Sequence, residues 1–329
     1  MSSQPKLFQP IKVGDITLQH RLVLAPLTRT RSDRATLAPI FHLVKPYYEQ
    51  RASTPGTLLI TEATSIAAKA ARFPNAPGIY SQEQIDAWKQ LGDYSIVGAS
   101  SIPTSPETAT VTPHALTKPE IQEYIQLFAQ AAKNAVLGAG FDGVEIHGAH
   151  GFLVDQFLQD VSNDRTDEYG GSIENRSRFA LEVVDAVVGA VGPQRSAIRL
   201  SPWATVQDMG MKDPIPQFTH VVSEIKQRHP DLAYIHVVEP RVNGTDDATA
   251  VLGAGGYVRE SALKVAEEKG DIIASGRWFI SNPDLPIRIK KDVPWTKYGR
   301  KTFYVPGQAE GLEKGYLDYP FATPLEVKN

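Results

Sequence analysis

The chain contains no cysteine among its 329 residues. This absence excludes disulfide bridges, thiolate metal sites, haem-thiolate chemistry and a cysteine nucleophile. With 42% hydrophobic and 22% charged residues, the composition is otherwise that of an ordinary globular protein. Any catalytic chemistry must therefore come from other side chains or from a bound cofactor.

Strong net charge and long hydrophobic runs are also missing. The chain has 34 Lys and Arg against 37 Asp and Glu, a net charge of −3, which is too little to hold nucleic acid or an anionic membrane by charge alone. No stretch reaches the roughly 18 uninterrupted apolar residues of a membrane span, and the first residues lack the apolar core of a secretion signal. We therefore expect a cytoplasmic protein without nucleic-acid or membrane partners, either a monomer or a homodimer.

Short apolar runs recur along the whole chain and are separated by helical patterns. The runs are rich in Val, Ile, Leu and Ala without clean alternation, which is typical of strands buried on both faces of a parallel sheet. A helix is predicted over residues 117–137, which open with Thr-Lys-Pro-Glu and end at Gly138. The runs cover residues 21–27, 57–64, 143–149, 197–203, 234–240, 250–256 and 272–278, with a weaker one at 95–101.

Alternating strands and helices indicate an α/β fold, either an open doubly wound sheet or a closed (β/α)8 barrel. No GxGxxG motif follows the first run, which weakens the case for a dinucleotide-binding open sheet. Polar residues gather at the carboxyl ends of the runs, where the active sites of barrels form. We predict a single (β/α)8 TIM-barrel domain over residues 1–329.

The sharpest local feature is a pair of histidines, His147 and His150, at the end of the run that begins at residue 143. Two histidines three residues apart, flanked by small residues, can converge on one ligand. The alternatives are two partly buried histidines bonded to backbone carbonyls, or a zinc site completed by Glu145 or Asp142. A metal-dependent barrel would need further ligands at other strand ends, and His236 is a poor third ligand, so we expect no metal.

Glycines and an arginine close the last two runs. Gly255 and Gly256 end the run at 250–256, and Gly276 with Arg277 follows the apolar residues of the last run. The loops after strands seven and eight of barrels commonly bind phosphate through backbone N–H groups and charged side chains. A turn explains each glycine alone, but their joint occurrence favours a phosphorylated cofactor.

Arg199 is a charged residue inside a run otherwise suited to burial. Because an unpaired buried charge is costly, this side chain should meet an anion or an electron-rich ring at the barrel mouth. A structural ion pair with Glu145 or Glu62 is the competing interpretation. Thr28, just after the first run, either ends that strand or directs its hydroxyl into the mouth.

These features stand in segments that resemble the old yellow enzymes, a family of FMN-containing (β/α)8 ene-reductases. The resemblance extends from Leu7 to about Pro320, and the block at residues 141–179 is highly specific. The tail GYLDYPF is similar to that of fungal members, including those that act on an alkaloid aldehyde in ergot pathways. Other matching segments are LAPLTRTRS (24–32), YYEQRAS (47–53), RLSP (199–202) and GRWFISNPDLP (276–286).

The resemblance implies FMN as cofactor and NADPH or NADH as reductant. It implies that Pro26 and Thr28 contact the flavin, with Thr28 hydrogen-bonded to the ring, and that Ala63 offers its backbone to the pyrimidine side. Arg199 matches the arginine beside the flavin N1–C2=O edge. The phosphate cradle corresponds to Gly255, the adjacent Gly256, Gly276 and Arg277.

On the substrate side, the resemblance implies that His147 and His150 grip the carbonyl oxygen and that Tyr316 lies over the pocket. Two N–H donors on that oxygen make the β-carbon of a conjugated C=C bond accept hydride, and they stabilise the negative charge of the transition state. Phe152 stands where the family usually has a proton-donating tyrosine. This departure is compatible with solvent protonation, slower net reduction, or return of hydride with migration of the double bond.

Two segments depart further from the family pattern. The third strand, whose glutamine bonds the flavin pyrimidine in the family, has no counterpart, because residues 88–91 lead straight into 92–95. The segment between residues 241 and 250 is also short. Either residues 95–102 replace the missing strand, or the chain omits segments present in the natural protein, so we predict an atypical or shortened third-strand region.

Together these observations predict an FMN-dependent NAD(P)H oxidoreductase of the old yellow enzyme type. Its substrate would be a small α,β-unsaturated aldehyde or ketone whose activated C=C bond is reduced or isomerised, in fungal secondary metabolism. One alternative is a degenerate barrel that binds a small molecule without redox turnover. The other is a metal-dependent barrel hydrolase.

Overall fold

A parallel β-sheet is the centre of the computed structural model, which describes residues 4–71, 73–90, 96–100, 115–239, 242–243, 246–247 and 256–323. Along the chain the strands are β1 Ile11–Val13, β2 Ile16–Leu18, β3 Leu22–Leu24, β4 Leu58–Ile60, β5 Ile96–Ser100, β6 Gly143–Gly148, β7 Ser196–Leu200, β8 Tyr234–Val237, β9 Val242–Asn243, β10 Asp246–Asp247 and β11 Ile273–Ser275.

Seven of these strands form one sheet in the order β11-β3-β4-β5-β6-β7-β8, and every pairing in it is parallel. The last strand of this sheet along the chain, β11, thus pairs with the earliest one, β3, as in a (β/α)8 barrel. The seven strands lie within seven of the eight predicted runs, and β5, from the weak run, lies between β4 and β6. The run at 250–256 is outside the described residues except for Gly256. Within the described part of the chain, no pairing joins β8 to β11.

Helices follow most of the strands and cover the outer face of the sheet. They are α1 Phe41–Arg51, α2 Gln82–Lys89, α3 Lys118–Lys133, α4 Leu153–Leu158, α5 Ile173–Val191, α6 Ile215–Arg228, α7 Arg259–Lys269, α8 Arg277–Ser281 and α9 Leu285–Lys291. The helix start predicted at Thr117 is confirmed, and a second helix begins in the same way. Ser81 with Gln84 begins α2, and Thr117 with Glu120 begins α3, each through a reciprocal capping box.

The end of α3 differs from the prediction. The helix continues as a π-helical turn over Asn134–Ala139 and stops at Gly140, not at Gly138. Gly140 has φ +85°, a left-handed conformation that glycine adopts without a Cβ penalty. The extra π-helical turn therefore carries the chain two residues past the first glycine.

Alternate residues of the strands belong to different apolar clusters, which defines the two faces of the sheet. Leu22 and Leu24 of β3 pack in the large cluster that includes the helices. Val23, with Leu58 and Ile60 of β4, packs in a second cluster on the inner face. The antiparallel hairpin of β1 and β2 contributes Val13 and Leu18 to that inner cluster. The inner face is therefore apolar on these strands.

Candidate active site

Polar side chains replace the apolar ones on the inner face of β6, β7 and β8. His147 of β6 lies beside Arg199 of β7, which lies beside His236 of β8. One step earlier along the strands, Glu145 and Tyr234 flank Ala197 in the same way. Because neighbours in parallel register point to the same side, these residues form one polar row near the carboxyl ends of the strands.

His147 and His150 come together, as the sequence predicts. Their ring centroids are 6.0 Å apart with an interplanar angle of 61°. Burial, the nearby Arg199 cation and the other histidines hold the pKa of His147 well below 6.5, and burial with Arg199 lowers that of His150 to about 3. Both imidazoles are therefore neutral at pH 7. Neither Nδ1 atom has a hydrogen-bond partner within the described residues.

The loop that carries His150 has an unusual backbone fixed by several hydrogen bonds. His150 has φ +58° and Gly151 φ +75°. The His150 N–H donates to Ser201 Oγ at 2.7 Å, and its carbonyl accepts from Gln207 Nε2 at 2.7 Å. The Gly151 N–H donates to Asp155 Oδ2 at 2.8 Å. Side chains from α4 and from the segment after β7 thus hold the His150 backbone.

Arg199 is enclosed beside the two histidines. Burial lowers the pKa of its guanidinium, while the Glu145 carboxylate and Tyr234 act in the opposite direction. Its Nε atom lacks a hydrogen-bond partner among the residues that the structure describes. The predicted alternative of an ion pair with Glu62 does not fit, because the Glu62 carboxylate accepts the backbone N–H groups of residues 29 and 30 at 2.9 and 3.2 Å.

Glu145 also turns away from an ion pair with Arg199. Its Oε2 atom lies 2.9 Å from His236 Nδ1, and both side chains are buried. The other carboxylate oxygen, Oε1, and His236 Nε2 have no partners within the described residues. The carboxylate therefore acts on Arg199 through its charge.

Phe152 lies next to the histidine pair, at the residue before α4. Its ring is tilted at 45° to that of His147 with centroids 4.6 Å apart, and the side chain is partly exposed. Phe152 has no hydroxyl, so this position contributes an apolar edge and no proton. The four residues predicted to meet here, His147, His150, Phe152 and Arg199, belong to the ends of two adjacent strands.

The predicted cofactor residues emerge at the same end of the sheet but from other strands. Pro26 and Thr28 follow β3, Ala63 follows β4, and Gly276 with Arg277 follows β11. These three strands are adjacent, and all five residues are partly exposed. Their contacts with a flavin stay predictions. Gly256 is exposed with φ +77°, and Gly255 lies outside the described residues.

Tyr316 is enclosed instead of lining an open surface. Its ring stacks on Tyr47 with centroids 4.3 Å apart, and the guanidinium carbons of Arg29 and Arg31 lie 4.8 and 4.7 Å from the ring centroid. The side chain is 0% exposed. Its predicted role over the substrate pocket stays a prediction, while the observed role is packing of the C-terminal segment against the start of the chain.

Several residues of this site were not singled out by the sequence. Asp155, Ser201 and Gln207 hold the backbone around His150, but their partners lie 4 to 57 residues away along the chain. The nearest signal is the spacing of His150 and Asp155 in HGFLVD, which puts an acid in the first turn of the helix after the strand. Glu145 and His236 both lie on the inner face of the sheet but are not register neighbours across β7, so their hydrogen bond does not follow from the register alone.

No group of three or more His, Asp or Glu side chains with metal-binding geometry occurs within the described ranges. None of the described helices has the length and apolar character needed to cross a membrane.

Comparison with known proteins defines the class. A family model for the NADH:flavin oxidoreductase / NADH oxidase family matches residues 6–94 and 93–295. Old yellow enzyme from Pichia sp. AKU4542 superimposes with a TM-score of 0.83 at 37% identity, covering 97% of this chain and 94% of that structure. The chain belongs to this flavin oxidoreductase family, that of the old yellow enzymes, which confirms the resemblance found in the sequence.

Several of the curated relatives are fungal. Chanoclavine-I aldehyde reductase of Penicillium roqueforti is 45% identical over 372 residues, covering 98% of each chain. A probable inactive reductase of Epichloe festucae var. lolii is 44% identical, covering 99% of this chain and 98% of its own. Both alignments are longer than 329 residues, so these relatives contain stretches without a counterpart here. The two parts of the family match meet at residues 93–94, in the region where the sequence predicts an atypical third strand.

Proposed function

We propose that the protein is an FMN-dependent NAD(P)H oxidoreductase that reduces or isomerises the activated C=C bond of an α,β-unsaturated aldehyde or ketone. One observation carries the proposal: two neutral histidines, one buried and one partly buried, lie together beside the partly buried Arg199, and their Nδ1 atoms have no partner within the described residues. Ordinary structural histidines would have their ring nitrogens satisfied by the protein. Unpartnered nitrogens at a strand mouth suit a carbonyl oxygen of a ligand.

The polar row fits a flavin. Arg199 is a partly buried cation whose Nε–H is unpartnered within the described residues, and such a donor suits the carbonyl and ring-nitrogen acceptors of the isoalloxazine. Pro26, Thr28 and Ala63 would contact the ring, and Gly255, Gly256, Gly276 and Arg277 would hold the phosphate. When bound and reduced by NADPH or NADH, FMN supplies the hydride that the substrate accepts.

The histidine pair would bind and polarise the substrate. Neutral His147 and His150 can each place one N–H on the carbonyl oxygen without carrying a net charge into the site. These donors withdraw electron density from the conjugated double bond and meet the negative charge that grows on the oxygen. Because the loop of His150 is fixed before substrate arrives, little reorganisation is needed.

Phe152 would decide the fate of the substrate. No hydroxyl stands at this position, so the side chain cannot protonate the α-carbon after hydride arrives. The anionic substrate then takes a proton from water, or it returns the hydride after rotation about the former double bond. Reduction and isomerisation are the two outcomes, and the name of the Penicillium relative, chanoclavine-I aldehyde reductase, supports an aldehyde substrate.

The absorbance spectrum of the purified protein tests this proposal. We expect a yellow chromophore that is released as FMN on denaturation, identified by mass spectrometry, and that bleaches with NADPH or NADH. Added unsaturated aldehyde should restore the colour under anaerobic conditions where it is reduced, whereas isomerisation leaves the flavin bleached and is detected by chromatography of the aldehyde. A colourless protein that takes up no added FMN would contradict the proposal.

A second candidate is a barrel that binds a small molecule without turnover. It is favoured by the Epichloe relative, which is named as a probable inactive reductase. The two candidates differ in one result, because only the enzyme converts an unsaturated aldehyde, added with NADPH, into a reduced or isomerised product that chromatography detects.

A further inference from the structure

Asp155 is a carboxylate on α4 that is 0% exposed, and within the described residues it has no cationic partner. Its neighbours are three neutral donors. Oδ2 accepts the Gly151 N–H at 2.8 Å and lies 3.5 Å from Ser201 Oγ, while Oδ1 accepts Gln159 Nε2 at 3.0 Å. An unpaired buried carboxylate is costly to a fold, and burial accordingly raises the pKa of Asp155 to about 6.

Two of the three donors to Asp155, the Ser201 hydroxyl and the Gly151 N–H, also hold the backbone at His150 in place. The Ser201 hydroxyl accepts the His150 N–H at 2.7 Å, so its own proton is available for Asp155. The Gly151 N–H, the other donor, follows His150 directly. Asp155 therefore reaches His150 by two short routes, one through a side chain and one through the backbone.

These hydrogen bonds hold a backbone segment with an unfavourable conformation. His150 has φ +58°, a conformation that residues with a Cβ rarely adopt, so surrounding contacts must hold it. Gly151 has φ +75°, and a Cβ there would lie 2.8 Å from the Cβ of Gln207. The loop of His150 and Gly151 therefore packs closely against the segment after β7. The path of this loop determines the position of the His150 ring.

We infer that Asp155 is a positioning residue that, through Ser201 and the Gly151 amide, fixes His150 for the carbonyl oxygen of the ligand. This inference rests on the proposed function, in which His150 binds that oxygen. It assigns the buried carboxylate to ligand recognition, although Asp155 itself does not touch the ligand.

The test compares Asp155→Asn and Ser201→Ala with the unmodified protein and with a matched control, Asp284→Asn. Asp284 is also a buried aspartate, and it accepts Arg288 Nε at 2.7 Å and the Ala322 N–H at 2.7 Å, away from β6 and β7. For each FMN-loaded protein we would measure flavin content, the melting temperature, and the dissociation constant of a phenol from its charge-transfer band.

We expect Asp155→Asn to keep its flavin while the phenol dissociation constant rises roughly 10- to 100-fold, the size of effect that a misplaced binding group produces. Ser201→Ala should also raise the phenol dissociation constant. Asp284→Asn should lower the melting temperature and leave phenol binding within about twofold. A phenol affinity in Asp155→Asn within twofold of the unmodified protein would overturn the inference, as would an equal loss of flavin and phenol binding.

Hydrogen–deuterium exchange of peptides covering residues 148–157 separates this inference from the proposed function. Faster exchange at His150 and Gly151 in Asp155→Asn, but not in Asp284→Asn, supports the positioning role whether or not FMN is bound. Unchanged exchange overturns it. Absence of the phenol band from the unmodified protein would instead overturn the proposed function.

Discussion

Glu145 Oε2 and His236 Nδ1 lie 2.9 Å apart, joined across β7 on the inner face of the sheet. In the parallel register, Arg199 of β7 is paired with His236 of β8, and Ala197 of β7 is paired with Glu145 of β6. Ala197 and Arg199 are two residues apart and therefore face the same side of the sheet. The carboxylate is therefore held close to the partly buried guanidinium without bonding to it. This leaves the Arg199 donor available for a ligand while its charge is partly balanced.

Replacing Glu145 by Gln should remove that balance. The amide can still bond His236, but the guanidinium of Arg199 loses its neighbouring negative charge in a buried site. We expect a loss of about 1–3 kcal/mol in the free energy of unfolding of the FMN-free protein, measured with urea. The control is Glu224→Gln, which breaks a surface ion pair with Arg228 and should cost less than about 1 kcal/mol. Equal stability of the Glu145 variant and the unmodified protein would contradict the electrostatic role.

His150→Ala should separate turnover from cofactor binding. Loss of one donor to the developing oxyanion typically lowers the rate by roughly 10²–10³. We expect that decrease for the reduction or isomerisation of an unsaturated aldehyde, with FMN content unchanged, whereas His220→Ala on α6 should leave the rate unchanged. Parallel loss of flavin and activity would mean that His150 is structural.

Phe152→Tyr should change the products. The new hydroxyl restores a proton donor next to His147, so the anionic substrate can be protonated before it returns its hydride. Chromatography of products from an ergot-type unsaturated aldehyde and NADPH should show more reduced and less isomerised product. Phe152→Leu serves as the control, because it changes the ring but adds no donor. An unchanged product ratio in a folded, FMN-loaded Phe152→Tyr protein would show that this position does not select the outcome.

The buried histidines make stability depend on pH. Burial, together with Lys290, lowers the pKa of His20 to about 4, and those of His147 and His150 also lie below 6.5. As the pH falls, these histidines therefore bind protons in the unfolded chain at a higher pH than in the folded protein. The free energy of unfolding is highest above pH 6.5 and decreases as the pH falls below it. Between pH 7.5 and 5.5, each of these histidines should lower the free energy of unfolding by about 1.4 kcal/mol. Urea unfolding at both pH values, compared with a His150→Ala variant that should lose less, tests the sign.

Tyr316→Phe should be tolerated and Tyr316→Ala should not. The hydroxyl has no partner within the described residues, but the ring stacks on Tyr47 and lies beside two arginines. Truncation to Ala should cost about 3–5 kcal/mol, the usual range for a buried aromatic ring. A melting curve for each variant measures this. If Tyr316→Phe keeps its stability but loses phenol binding, the residue contacts ligand and the packing interpretation is incomplete.

Much of the fold followed from simple patterns. Strands such as Leu22–Leu24 and Leu58–Ile60 are wholly buried, and burial on both faces produces continuous apolar runs that stand out in a sequence. The capping residues of α2 and α3 are equally local. The end of α3 was predicted at the wrong glycine, because whether a helix stops at Gly138 or Gly140 depends on tertiary packing and not on the local sequence.

The active site was only partly predictable. His147 and His150 are close in sequence and sit at a strand end, and Arg199 stands out as a charge in an apolar run. The hydrogen bonds around them join residues far apart in the chain, 51 and 57 positions for the contacts of the His150 backbone and 91 for the pair of Glu145 and His236. Such pairs depend on strand order and register, which local patterns do not contain. The enclosure of Tyr316 likewise depends on how the C-terminal segment meets residues 29–47.

Titration of the purified, FMN-loaded protein with a phenol tests the central claim most directly. The account predicts a long-wavelength charge-transfer band that saturates with added phenol and that is abolished in His150→Ala while the flavin spectrum persists. Such a band requires a flavin next to a working pair of neutral histidines. A flavin-containing protein that gives no band, or a band of equal affinity in His150→Ala, would contradict the account.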